Sequence, residues 1–244
     1  MKGVKAEVRL LAITPGALSV IYSAARQCYS KRQASDIYDD KNIRSDEKKR
    51  FIEKIISLGH ESPLEHATLT FSVKGVSRAL THQLVRHRLA SYSQQSQRYV
   101  EATDFNFVLP VSIEKNAAAK KIFVLSMKNA RRDYKKIIEL LKTAGTGKEK
   151  AAEDARFVLP QAVETMIVVS MNCRQLLYFF SQRCCERAQW EIRGLARAML
   201  LICRENLPEI FMTAGAKCEK LGYCPEGKKY TCGRYPINLK QQER

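Results

Sequence analysis

Hydrophobic residues along this chain follow a period of two in some stretches and a helical period in others. The apolar run at residues 8–13 predicts a short buried strand, and Pro15 suits the first turn of a helix reaching about Tyr29. Residues 31–44 are polar and aperiodic, which predicts a surface loop. Ser45 is placed to cap the next helix, with Asp46 and Glu47 favourable to its dipole. Phe51, Ile52, Ile55 and Ile56 form its buried stripe, and Gly59 ends it. Ala67, Leu69, Phe71 and Val73 alternate with Thr68, Thr70 and Ser72, as in a half-buried strand. Val76, Leu80 and Leu84 then stack at helical spacing and predict a helix over residues 76–88, with Gln83, Arg86 and His87 on one stripe.

Further on, Pro110 and Ser112 open a long amphipathic helix that ends near Gly145 and Gly147. Residues 149–157 predict a short helix that stops before Pro160. ETMIVVSM, residues 164–171, is apolar and β-branched enough for a central strand. Residues 174–205 read as two helices or one bent helix. FVLP occurs at 107–110 and 157–160, too short a match to mark a duplication. No linker splits the chain. Residues 1–216 are expected to form one domain, with a cysteine-containing tail over 217–244 packed on it.

Composition narrows the classes. At 244 residues and 45% hydrophobic content, the chain can bury a sizeable core and is not a disordered polymer. Its formal net charge of +17 favours anionic partners: nucleotides, nucleic acid, acidic membranes or polyglutamate tails. Much of that charge sits between Ser112 and Lys142, on the outer face of the predicted long helix, so the surplus says little about a site. Eight cysteines without a signal-type N-terminus suggest reduced thiols and a soluble, cytoplasmic protein. No run approaches the roughly 20 apolar residues of a membrane helix.

The stretch RHRLASYSQQSQRY, residues 86–99, holds three arginines, a histidine, three serines and three glutamines, with no carboxylate. Planar guanidinium forks beside neutral donors and acceptors fit an anionic, hydrogen-bonding ligand. On composition alone a solvated basic loop fits as well. The spacing of Arg86, His87, Arg88, Ser91, Ser96, Arg98 and Tyr99 resembles the motif of the flavin-dependent thymidylate synthases.

A second stretch, residues 172–193, supports the resemblance with Asn172-x-Arg174 and a later AQWEIR, and Arg156 precedes FVLP in a similar way. Arg183, Arg187 and Glu191 fall at four-residue steps, which predicts one helix face shared with Trp190. A surface ladder of ion pairs would show the same spacing. The four histidines lie between His60 and His87 without the spacing of a zinc helix, and Cys218, Cys224 and Cys232 fall short of a closed zinc site, so no metal is expected.

The resemblance implies an α+β fold, a twisted and mainly antiparallel sheet surrounded by helices, in a homotetramer whose sites draw on several subunits. It implies conversion of dUMP to dTMP, with methylenetetrahydrofolate as carbon donor and NADPH as reductant through FAD, and no protein nucleophile. Cofactor contacts would come from Ser62, Arg86, His87, Arg88, Gln94, Asn172 and Arg174. The nucleotide would be held by Gln83, Arg86, Gln94, Gln95, Ser96, Gln97, Arg98 and Arg156. Arg183 would face the uracil ring as the catalytic residue. Gln94 departs from the glutamate often found there, and Tyr178 and Arg187 stand where some members carry asparagine and histidine near the flavin. Nucleic acid and membrane are not expected partners. A basic nucleic-acid-binding protein, or a flavin redox protein without methyl transfer, remain the alternatives.

Overall fold

The computed structural model describes residues 3–238; the two ends of the expected domain and tail, 1–2 and 239–244, lie outside the described residues. Four strands, β1 (Glu7–Ile13), β2 (Thr68–Ser77), β3 (Ala90–Gln94) and β4 (Glu164–Asn172), form an open sheet in the order β1-β2-β4-β3. The helices begin with α1 (Ala17–Gln27), α2 (Ala34–Tyr38), α3 (Ser45–Ser57) and α4 (Arg78–Leu84). Next come α5 (Val111–Glu114), α6 (Ala117–Thr143) and α7 (Lys148–Ala155). The last are α8 (Cys173–Arg183), α9 (Trp190–Asn206), α10 (Pro208–Phe211), α11 (Lys217–Leu221) and α12 (Gly227–Tyr230).

Cross-strand contacts fix the strand directions. Thr14 N–H donates to the Thr68 carbonyl, while Gly75 lies against Lys5, so β1 and β2 run antiparallel. Cys173 N–H donates to the Ala67 carbonyl and Arg78 N–H to that of Val163, which makes β2 and β4 antiparallel too. The fold is α+β with an antiparallel, non-closed sheet and helices. No helix among the described residues is long and apolar enough to cross a membrane.

The chain divides into two compact units. The first holds residues 3–7, 72–86 and 92–168 of the described chain. Val73, Val76, Leu80, Leu84 and Ile167 are buried here. A second cluster joins Tyr134 and Ile138 of α6 to Ala152 and Ala155 of α7. Gly75 sits at φ +71, and a Cβ there would lie 2.1 Å from the Lys5 carbonyl oxygen, so only glycine fits. The two-residue alternation of β2 stops at this point, and Gly75, Val76 and Ser77 are all buried.

The second unit holds residues 8–71, 87–91 and 169–238 of the described chain. Here α1 packs on α2, on α3 and on the 3₁₀ turn Ser62–His66. Ile21, Ile52, Leu64, Leu69 and Phe71 are fully buried. Phe179 and Phe180 of α8 and Phe211 of α10 extend this core, with ring centroids 5.7 and 6.0 Å apart in successive pairs.

Several expectations change. Residues 31–44 contain α2, whose one buried side chain, Ile37, gives no period to read. The cap of α3 is Arg44, with Ser45 already helical and making no capping bond. Val76 belongs to β2, and α4 starts only after Ser77, whose hydroxyl accepts from Leu80 N–H. That helix ends at Leu84, so Arg86 and His87 lie beyond it and share no helical stripe with Gln83. Tyr92 Oη donates to the Leu84 carbonyl at 2.8 Å and satisfies one of the groups exposed by that early end. The long basic helix is interrupted at Lys115 and Asn116, where Asn116 recaps α6 by accepting from Ala119 N–H. Arg183 ends α8, Arg187 lies in the connection and Glu191 is in the first turn of α9, so the three share no helix face and Trp190 is not on Arg183's helix.

Candidate active site

The stretch 86–99 divides between the units. In the first unit, Gln94 at the end of β3 donates from Nε2 to Thr81 Oγ1 at 3.0 Å and to Thr165 Oγ1 at 3.2 Å. Both threonines are buried, so Gln94 anchors β3 to α4 and β4. Gln95 N–H donates to the Met166 carbonyl at 2.9 Å and continues that pairing. The chain then turns. Ser96 Oγ accepts from Arg98 N–H at 3.1 Å and Tyr99 N–H at 3.3 Å, which shapes the segment carrying Ser96, Gln97 and Arg98. The Arg98 guanidinium meets Glu149 at 2.7 Å and Glu153 at 3.0 Å on α7.

Arg78 was not singled out by the sequence. It is partly buried at the start of α4, and its Nη1 donates to the Gln95 carbonyl at 3.4 Å. Burial, and secondarily the charge of Arg156, lower its pKa. Neither Arg78 nor Arg156 has a carboxylate partner among the described residues, so both charges are suited to an anionic ligand. A lone arginine at a strand–helix junction carries no sequence signal of this kind.

In the second unit, His87 is 6% exposed and its Nε2 accepts from Arg183 Nε at 3.1 Å. Burial, and then the Arg183 charge, push its pKa down to about 4. The ring is therefore neutral near pH 7, with its proton on Nδ1. Phe179 stacks edge-on at 4.9 Å and Tyr178 at 6.0 Å. The first motif and the second stretch thus meet through His87 and α8.

Beside them lies a cleft of about 720 Å³. Asn172 and Arg174, both expected at a cofactor, line it at the strand-to-helix turn. Asn172 also caps α8, accepting from Gln175 N–H at 2.8 Å, and Arg174 pairs with Glu65. Tyr178, Ile56 and Ile210 supply apolar wall, while Lys217 and Lys220 add cations. Those two lysines, in α11, escaped sequence reasoning because they look like an ordinary solvated tail; their spacing of three was the available signal. Ser62, Arg86 and Arg88 are exposed, and neither Ser62 nor Arg88 lines the cleft. Among the described residues no three His, Cys, Asp or Glu side chains converge as a ligand set.

The second unit's cationic, partly apolar cleft beside an arginine–histidine pair, and the arginines of the first unit, have the chemistry of a protein class suited to anionic, ring-bearing ligands. The family model for thymidylate synthase complementing protein matches residues 9–209, a span that runs through both units. The chain is 54% identical to the flavin-dependent thymidylate synthase of Nitratidesulfovibrio vulgaris over 233 residues, 94% of this chain and 95% of that protein. Similarity to the enzymes of the same name from Clostridium tetani (45%, covering 95% and 94%) and Pyrococcus abyssi (44%, covering 90% and 89%) is comparably complete. The chain belongs to the family of flavin-dependent thymidylate synthases, which are methyl-transferring enzymes.

Proposed function

We propose that this protein converts dUMP to dTMP, taking the carbon from methylenetetrahydrofolate and the electrons from NADPH through FAD, as a cytoplasmic homotetramer. The observation that carries the reading is the Arg183–His87 contact, which brings the second arginine stretch onto the first motif. Nucleic-acid binding alone requires no such buried, neutral histidine beneath a guanidinium.

The second unit's cleft fits a flavin nucleotide in size and chemistry. Tyr178, Ile56, Leu177 and Ile210 offer apolar surface to a flat ring, and Arg174, Lys217 and Lys220 offer positive charge to phosphates. Asn172, Arg174 and His87 are assigned to hold this group, with Ser62, Arg86, Arg88 and Gln94 joining from any subunit that shares the site. Bound FAD would supply hydride to the pyrimidine ring.

The chain's own task is binding and charge control. Arg156, with Arg78 beside it, takes the nucleotide phosphate, and Gln83, Arg86, Gln94, Gln95, Ser96, Gln97 and Arg98 fix the remainder of dUMP. Negative charge that builds on the uracil carbonyls is opposed by Arg183. His87 accepts from Nε of that side chain and so leaves the terminal nitrogens of the fork to the base. No protein nucleophile is required. Burial pushes the Cys173 thiol up to about 12 and Cys184 up to about 11, and the Ser96 hydroxyl is occupied in its own turn.

The first test is optical. The purified protein should carry flavin absorption bands that shift on addition of dUMP. A flavin spectrum indifferent to dUMP would favour a redox protein without methyl transfer, and a colourless protein that cannot be loaded with FAD would end the reading.

A further inference from the structure

Helix α6 carries a stripe of cations that this reading leaves unused. Lys128, Arg131, Arg132, Lys135 and Lys136 line an open hollow of about 660 Å³, in which Glu139 is the one lining carboxylate. From residue 128 to 139 they recur at each helical turn, so they form a single track about 16 Å long. Asp104 faces Arg131 and, at 3.6 Å, Lys135, and Asp133 takes Arg132 at 3.0 Å. Lys128 and Lys136 have no carboxylate partner among the described residues. Two positive charges thus stay unbalanced when all three carboxylates are counted.

This track adjoins the chain that leaves the arginine motif, and both lie in the first unit. Beyond Arg98, Glu101 is held by Lys142 at 2.7 Å and Ala102 N–H donates to Tyr134 Oη at 3.1 Å. Arg131 Nε then donates to the Thr103 carbonyl at 2.9 Å. Successive residues from 101 to 104 therefore step along α6 from its C-terminal end towards the hollow.

The geometry points to this stripe as the docking track for the poly-γ-glutamyl tail of the folate co-substrate, an inference that rests on the synthase reading. A chain of γ-linked glutamates presents one carboxylate per unit, at a repeat of the same order as the helix pitch of about 5.4 Å. Lysine and arginine heads recurring at that pitch can meet successive carboxylates. A single-stranded nucleic acid fits less well. The lining residues include no aromatic ring for base stacking and no amide for reading base edges.

The test compares monoglutamyl with pentaglutamyl methylenetetrahydrofolate at low ionic strength, in the wild type and in Lys128→Ser/Arg132→Ser/Lys136→Ser. Exposed ion pairs are individually weak, and three of them together correspond to about a tenfold lower KM for the longer folate in the wild type. The triple variant should lose that preference while turning over the monoglutamate normally. Direct binding of a fluorescent penta-γ-glutamate peptide, abolished in the same variant, supports the track even if no dTMP forms, so the two readings fail separately. Equal KM values for both folates together with no binding of the peptide would overturn the inference. So would a single-stranded oligonucleotide that binds the stripe more tightly than the peptide at equal charge.

Discussion

Arg183 Nε donates to His87 Nε2 across 3.1 Å, a charged donor resting on a neutral ring. The ring cannot neutralise the guanidinium, so it orients the fork and leaves its charge for a ligand. Arg183→Ala should lower the rate of dTMP formation about a hundred- to a thousandfold, the usual loss for one stabiliser of developing charge. Arg183→Lys should recover only part, because an ammonium keeps charge but not the planar fork. Single-turnover kinetics on FAD-loaded protein measure both, and a near-normal rate in Arg183→Ala would make the contact purely structural.

The same contact gives stability a pH dependence. His87 titrates near 6.5 when unfolded and about 4 when folded, held down by burial first and by Arg183 second. Its neutral form contributes stability above pH 6.5 that is lost as pH falls through the window from 6.5 to 4, because the unfolded chain binds the proton more tightly there. The full effect is on the order of 3 kcal/mol. Denaturant titrations across this window should show a shallower acid-side decline in His87→Gln than in the wild type. Parallel curves would mean that His87 is protonated in the fold.

Gln94 holds β3 in place through its side-chain amide. Thr81 Oγ1 donates to the Arg78 carbonyl at 3.0 Å, so towards Gln94 it can only accept. Gln94→Glu therefore sets an acceptor against an acceptor and should cost about 1–2 kcal/mol at pH 7. The deficit relative to wild type should shrink in acid as the new carboxyl takes up a proton. Equal stability at pH 7 would show that the amide's two bonds to the threonines contribute nothing.

Replacing each of the eight cysteines by alanine or serine should leave turnover per bound flavin unchanged. Losses at Cys173, Cys184 and Cys203 should appear in stability, since all three are buried with raised pKa values. Selective loss of turnover in one folded, flavin-loaded variant would require a thiol mechanism.

Sequence periodicity located β2 and β4, because each has a clean buried face, and left open whether residues 174–205 form the two helices α8 and α9 or one bent helix. It also placed β1, but as a buried strand, whereas none of its side chains is buried and Leu11 is exposed. It missed β3, whose alternation is polar on both faces and whose place depends on Gln94 and Gln95 pairing with distant residues. The early end of α4 was hidden for a similar reason. Tyr92 supplies the carbonyl's partner from eight residues away, and no local residue marks the stop. The candidate residues in fixed spacing were legible as types. Their neighbours were not: that Arg183 rests on His87, that Arg98 is paired with α7, or that Lys217 and Lys220 line the cleft, all depend on tertiary placement.

The central claim is tested most directly by incubating flavin-loaded protein with dUMP, methylenetetrahydrofolate and NADPH under anaerobic conditions and measuring dTMP. Formation should require the flavin, stop when FAD is removed and return when it is restored, with the all-serine cysteine variant still active if it folds. Formation of dTMP by protein stripped of flavin, or none by protein fully loaded with it, would contradict the account.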